Sequence, residues 1–215
     1  MIAPFGTGKS DILTINTVPS LGTQWLMRRL SRFSATHTDI DVRLNASVSP
    51  VNLIAEEADF SIRYGLVLPE TGVEVVPLPA ETIVVLCAPT FAKQHKLRRP
   101  TDISGQTLIH SEVNLYAWRD WQRDHPGTRL KLDRGPRFDR SFMAISAAVD
   151  GLGVGLESRL LVERELQEGR LVLPFGDEGP TMVCHHLSYL KAKAHLPKIR
   201  AFREWLFEEL EASRC

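Results

Sequence analysis

Phe138-Asp-Arg-Ser-Phe-Met-Ala-Ile-Ser-Ala-Ala-Val-Asp-Gly-Leu-Gly-Val-Gly-Leu-Glu-Ser158 holds a turn, a helix, a glycine stop and a strand in one short stretch. Ser141 is placed to cap a helix whose inward positions are Phe142, Ile145, Ala148 and Val149. Gly151 and Gly153 should end that helix, because glycine enters left-handed backbone conformations cheaply. Val154-Gly-Leu156 then reads as a buried strand, with Glu157-Ser158 at the turn into another helix. Open α/β sheets collect ligand sites at the carboxyl ends of their strands, so the stretch predicts a small-molecule pocket.

The rest of the chain suits such a pocket. Its 215 residues are enough for two small α/β lobes with cores of their own. Lys plus Arg and Asp plus Glu both total 26, so the formal net charge is zero. That balance argues against a chain that grips phosphate backbone by itself; short basic clusters at Arg28-Arg29 and Lys96 to Arg99 read as solvated faces. Cys87, Cys184 and Cys215 show neither paired nor metal-binding spacing, and Cys87 sits in an apolar run that predicts a buried free thiol. Neither a signal peptide nor a membrane span is legible, which predicts a cytoplasmic protein with no membrane partner.

Strand and helix signals alternate. Ile12 to Thr17 reads as a strand, Leu21 to Thr36 as a helix bearing Trp25, Leu26, Leu30 and Phe33, and Asp41 to Asn45 as a second strand. Ser47 and Ser49-Pro50 should open a helix over Val51 to Ala58, before a strand at Phe60 to Tyr64. A second unit follows. Thr82 to Ala88 and Thr107 to His110 read as strands, Tyr116 to Asp124 as helix, then the opening stretch, a helix over Ser158 to Glu168 and a strand over Gly169 to Leu173. Val183 to Leu190 and Lys198 to Glu211 supply a last strand and an amphipathic helix that serve the first lobe. The expected organisation is a leader over 1–10, lobe 1 from 11–80 and 184–215, and lobe 2 from 81–183.

Several motifs point to other chemistry and fail on context. Ala3-Pro-Phe-Gly-Thr-Gly-Lys-Ser10 matches a loose phosphate-loop pattern, but that loop needs a strand before it and a helix after it. Gly151-Leu-Gly-Val-Gly155 follows a helix, the reverse of a dinucleotide fingerprint. His185-His186 are strand neighbours that point to opposite faces, and no carboxylate or thiolate joins them, so no metal site is expected. With no nucleophile constellation visible, the chain reads as a binding module, with no cofactor, rather than an enzyme. Ser20, Ser47 and Ser49 precede helices and suit both N-capping and anion binding.

The order Val18-Pro-Ser-Leu…Trp25-Leu…Arg29-Leu…Phe33, Ile40-Asp-Val-Arg-Leu44, Asp59-Phe-Ser-Ile-Arg-Tyr-Gly65 and Phe138-Asp-Arg-Ser…Asp150-Gly-Leu-Gly-Val154 resembles the effector-binding domain of LysR-type transcriptional regulators, nearest to the glycine-cleavage and β-lactamase activators. The resemblance runs from about Leu13 to Leu210. It implies an α/β, two-lobed periplasmic-binding-protein-like fold of type 2, each lobe a mixed sheet flanked by helices, with two crossover connections. It also implies a small polar effector in the inter-lobe cleft and a homodimer, or a tetramer at full length. DNA would be contacted only through an N-terminal winged helix-turn-helix domain absent from this chain. The site residues it implies are Ser20, Ser47, Ser49, His110, Phe138, Asp139, Glu157 and His185. A carboxylate at Glu157, where the family often has proline or a small residue, argues against a purely anionic effector. A solute-binding protein of a transport system would share the fold and is the alternative.

Overall fold

The computed structural model describes residues 11–55 and 58–213. The expected leader, its phosphate-loop-like Ala3 to Ser10 and Cys215 lie outside the described residues. From β1 (Asp11–Thr17) the chain enters a run of helix made of a first turn α1 (Pro19–Leu21), a π-helical stretch Gly22–Leu26 and α2 (Met27–Thr36). Strands β2 (Ile40–Ala46), β3 (Phe60–Tyr64), β4 (Val73–Pro77) and β5 (Glu81–Leu86) follow, then α3 (Pro89–Gln94). Next come β6 (His110–Ser111), α4 (Trp118–Asp124), β7 (Arg137–Phe138), α5 (Ser141–Val149), β8 (Gly155–Ser158) and α6 (Glu163–Gln167). β9 (Thr181–Met182), β10 (His185–Leu190) and α7 (Pro197–Ala212) complete the described chain.

Two compact units divide these elements. The first takes 11–18, 26–79 and 185–213; the second takes Pro19–Trp25 and Ala80–Cys184. The first is built on a five-stranded sheet in the order β2-β1-β3-β10-β4, in which β2 and β3 run parallel to β1 while β10 runs antiparallel to both its neighbours. Alternation decides its faces. Leu13, Ile15, Phe60, Ile62, Leu187 and Tyr189 are buried, and Phe60 meets Phe202 of α7 with ring centroids 5.0 Å apart. Phe33 of α2 packs edge-on against the same Phe202 at 5.6 Å. Lys198, at the start of α7, fastens that helix to the sheet through Asp59 Oδ2 at 3.0 Å, and the same oxygen accepts the Thr14 amide at 2.9 Å.

The opposite face is polar. Asn16, Ser61 and Ser188 are buried there, beside Arg63, whose Nη1 donates to the Ser47 carbonyl at 2.6 Å. The expected helix over Val51 to Ala58 is not seen in its described part: residues 51–55 form a turn, because the Asn52 side chain accepts the Ile54 and Ala55 amides at 2.9 and 3.0 Å. A short polar side chain that bonds the backbone locally competes with helix formation. Leu53 and Ala58 still pack on Val73, so the segment keeps its covering role.

The second unit has a three-stranded antiparallel sheet, β8-β5-β9, and a parallel pair β6–β7. α5 ends on Gly151 at φ +76°, with the Leu152 amide donating to Ala147 and the Gly151 amide to Ala148, a paired stop that glycine permits. Gly153 works differently from expectation. Its φ is not positive; a Cβ there would lie 2.3 Å from the Thr107 carbonyl oxygen, which accepts the Val154 amide. Ser158 stays in β8 opposite Ile83, so the expected helix from Ser158 shrinks to α6. The expected strand over Gly169 to Leu173 reduces to one bridge between Val172 and Cys87. Cys87 is the buried free thiol its apolar run predicts, and burial pushes that thiol up to about 11; Cys184 is buried too.

Gly153→Ala should therefore destabilise the chain by about 2 kcal/mol, roughly 4–8 °C in melting temperature, because a backbone carbonyl cannot step aside. Gly155→Ala should cost less, since its neighbour at 2.9 Å is the flexible end of Leu86. Thermal melts of the two variants check this ranking; Gly153→Ala melting with the parent would contradict it.

Candidate functional site

The opening stretch places its polar groups where β8 and the first turn of α5 come together in the second unit. Ser141 does not cap its own helix; its hydroxyl donates to Asn114 Oδ1 at 3.2 Å and lies 3.3 Å from the Ser111 hydroxyl. The capping task passes to Ser20, whose Oγ accepts the Phe142 amide at 3.3 Å. Asn114 is held in turn by its Nδ2 donating to the Leu156 carbonyl at 2.8 Å. The carboxyl of Glu157 is the centre of this group. It is only 2% exposed, and its Oε1 is buried without a hydrogen-bond partner among the described residues.

Burial pushes the Glu157 carboxyl from 4.5 up to about 7; the polar side chains of Asn114, Ser111 and Ser141 beside it oppose the rise, and the negative field of Glu81 adds to it. Glu81 sits on the neighbouring strand and accepts the Ser158 hydroxyl. His110 lies beside the group with its Nε2 2.7 Å from the Arg134 carbonyl, and burial lowers its pKa from the usual imidazole value. Phe138 is half-buried on β7 opposite Ser111. Asp139 is exposed and paired with Arg140 at 3.0 Å. A cavity of about 20 Å³ bordered by His110, Ser111, Asn114, Tyr116 and Leu156 adjoins the cluster.

The remaining expected site residues lie in the first unit. His185 is buried at the start of β10 with its ring edge-on to Tyr64, centroids 5.1 Å apart. Ser47 Oγ accepts the Ser49 amide at 3.1 Å, closing the turn after β2, so neither hydroxyl stands at a helix N-terminus in the described residues. Ser111, Asn114 and Ser141 were not expected as site residues. Ser141 reads in sequence as a helix cap; Ser111 and Asn114 belong to a loop whose path to Glu157 only tertiary structure reveals. No three His, Cys, Asp or Glu side chains gather as metal ligands among the described residues.

A carboxyl with a folded-state pKa above its unfolded value binds its proton more tightly in the native state. Its contribution to stability is full below about 4.5 and is lost as pH rises to about 7. Glu157→Gln should remove that loss, so the stability difference between variant and parent should grow by about 3 kcal/mol across the window. Urea unfolding at a series of pH values measures it; parallel pH curves for the two proteins would contradict it.

The LysR substrate binding domain family matches residues 6–211. The HTH-type transcriptional regulator PerR of Escherichia coli K12 is 38% identical over 208 residues, covering 96% of this chain and 69% of that protein. The glycine cleavage system transcriptional activator of the same strain is 32% identical over 203 residues, covering 94% of this chain and 66% of the activator. The chain thus spans about two thirds of these relatives. Among solved structures, the effector domain of AmpR from Pseudomonas aeruginosa superposes with a TM-score of 0.76 at 31% identity, covering 94% of this chain and 96% of that one. The AmpR effector binding domain from Citrobacter freundii gives 0.76 at 25% identity, with 94% and 99% covered. The α/β, periplasmic-binding-protein-like fold implied by the resemblance is the fold these domains share with it. Matched from residue 6 to residue 211, the chain belongs to the LysR substrate binding domain family.

Proposed function

We propose that the chain senses a small polar effector for a LysR-type transcription regulator, as a binding module rather than an enzyme. The family match across residues 6–211 carries this reading. The relatives named above are transcription regulators, which favours a sensor over the transport protein of the same fold. In the second unit we assign effector contacts to Glu157, Ser20, Ser111, Asn114 and Ser141, with His110, Phe138 and Asp139 around them. In the first, we assign them to His185 and the Ser47–Ser49 turn. DNA contact would belong to the third of the relatives' length that this chain does not match. The chain's zero net charge agrees with that division of labour. The regulator would act in the cytoplasm, where its DNA lies; no helix among the described residues is long and apolar enough to cross a membrane.

Dimer formation is part of the proposal, although the apolar face of the helical run from Pro19 to Thr36 is spent largely on the core. Leu21, Trp25, Leu26 and Phe33 are buried, leaving Met27 at 58% exposure and a half-buried Leu30. The better surface is the sheet edge. β2 ends the sheet, and a groove of about 520 Å³ beside it is lined by Leu30, Ile40, Val42 and Leu44. An edge strand beside a groove that mixes these apolar side chains with Ser31, Ser34, Thr38 and Asp41 is a natural seat for a second copy.

A thermal-shift screen of metabolites tests the sensor reading. A true effector at a hundred times its Kd should stabilise the chain by about 2.7 kcal/mol; a broad screen with no stabilising compound would count against it. Light scattering should give twice the 24.2 kDa chain mass, and the chain alone should leave DNA unshifted at moderate salt. A monomer, or a sequence-specific shift, would refute the respective part.

A further inference from the structure

Glu157 is a buried acid with no cation of its own. The groups bearing on its carboxyl are neutral: the Asn114 amide and the Ser111 and Ser141 hydroxyls. Glu81, the charged group that acts on it from the neighbouring strand, has the same sign. No described Lys or Arg forms an ion pair with it, and Oε1 lacks even a neutral donor. His110 does not serve as the missing cation, since burial lowers its pKa and Nε2 is engaged with the Arg134 carbonyl.

An ionised carboxylate offers acceptors only, so the group that completes it must donate hydrogen bonds, and a positive donor binds about twice as strongly as a neutral one. The cavity of about 20 Å³ next to this cluster is bordered by Ser111 and Asn114, two of the residues that bear on Glu157, though not by Glu157 itself. That volume holds one water molecule, and a primary ammonium head is of similar size. Its three N–H bonds match what the cluster offers: the orphaned Oε1 and the lone pairs of the two serine hydroxyls.

We propose that Glu157 selects effectors bearing a primary ammonium group, whose N–H donates to Oε1 while Ser111 and Ser141 complete its shell. The inference rests on the effector-binding reading above and names the chemistry that reading leaves open. A neutral hydroxyl would leave the carboxylate charge unmatched, and an anionic head would be repelled by both Glu157 and Glu81. Selectivity thus comes as much from rejecting the wrong charge as from binding the right one.

The test pairs primary amines with alcohols of the same skeleton, including amino acids against the matching hydroxy acids, titrated calorimetrically into the chain at pH 8. Amines that bind should do so at least about tenfold more tightly than their alcohol partners. Glu157→Gln should bring the members of each pair within a fewfold of each other. Alcohols or simple carboxylates binding as well as amines would overturn the proposal without any variant, and so would an amine preference that survives Glu157→Gln. A metabolite screen that finds ligands lacking an ammonium group would sink this inference and leave the sensor reading standing. A screen that finds no ligand of any class would sink both.

Discussion

The first unit depends on a strand that arrives late. β10 enters its sheet between β3 and β4, pairing antiparallel with both, after the chain has spent residues 80–184 in the second unit. Without it, β4 has no partner and β3 loses one edge, so the sheet forms only when distant parts of the chain meet. The register is well determined: Leu187 and Tyr189 must face the α7 aromatics, and a slip by one residue would bury His186 and Ser188 there instead. The same insertion sets the two connections side by side. The Leu78 amide donates to the His185 carbonyl at 2.9 Å, just where the chain leaves for the second unit and where it returns.

In the second unit the sharpest constraint is electrostatic. Withdrawing a carboxyl from water is costly unless charge or hydrogen bonds compensate it. Glu165 shows the ordinary solution, with Arg164 at 2.7 Å and Arg170 at 3.0 Å on one oxygen. Glu157, equally buried, has serines and an asparagine instead. The proposed ammonium site rests on that contrast in ion pairing within one unit, and displaced acid–base equilibria of this kind tend to gather at functional sites.

The sequence made much of the fold legible because the strands of the first unit alternate cleanly and α5 is bounded by strong signals. Gly151 behaves as its type predicts. The failures have identifiable causes. Ser47-Val-Ser-Pro50 resembles a helix start, yet Asn52 takes the following amides into a turn. Val73 to Pro77 is a short β-branched run closed by Pro77, and pairing with β10 gives it its place in the sheet. Ser141 was readable as a cap, but its helix is capped by Ser20, which lies 122 residues away in sequence. Glu157 drew notice in the sequence as a polar residue closing a short apolar run, which the structure keeps inside β8. The groups that tune it, Ser111 and Asn114, did not, because nothing local distinguishes them from other loop residues.

The most direct measurement is the titration of the Glu157 carboxyl itself, followed by carbon-detected NMR on chain labelled at its glutamate carboxyls, with Glu157→Gln used to assign the signal. A buried acid without a cationic partner should titrate near pH 7, and a saturating ammonium ligand should draw its midpoint downward by favouring the charged form. A midpoint in the ordinary glutamate range of about 4.3 would show that Glu157 is already compensated within the folded chain and would contradict the account.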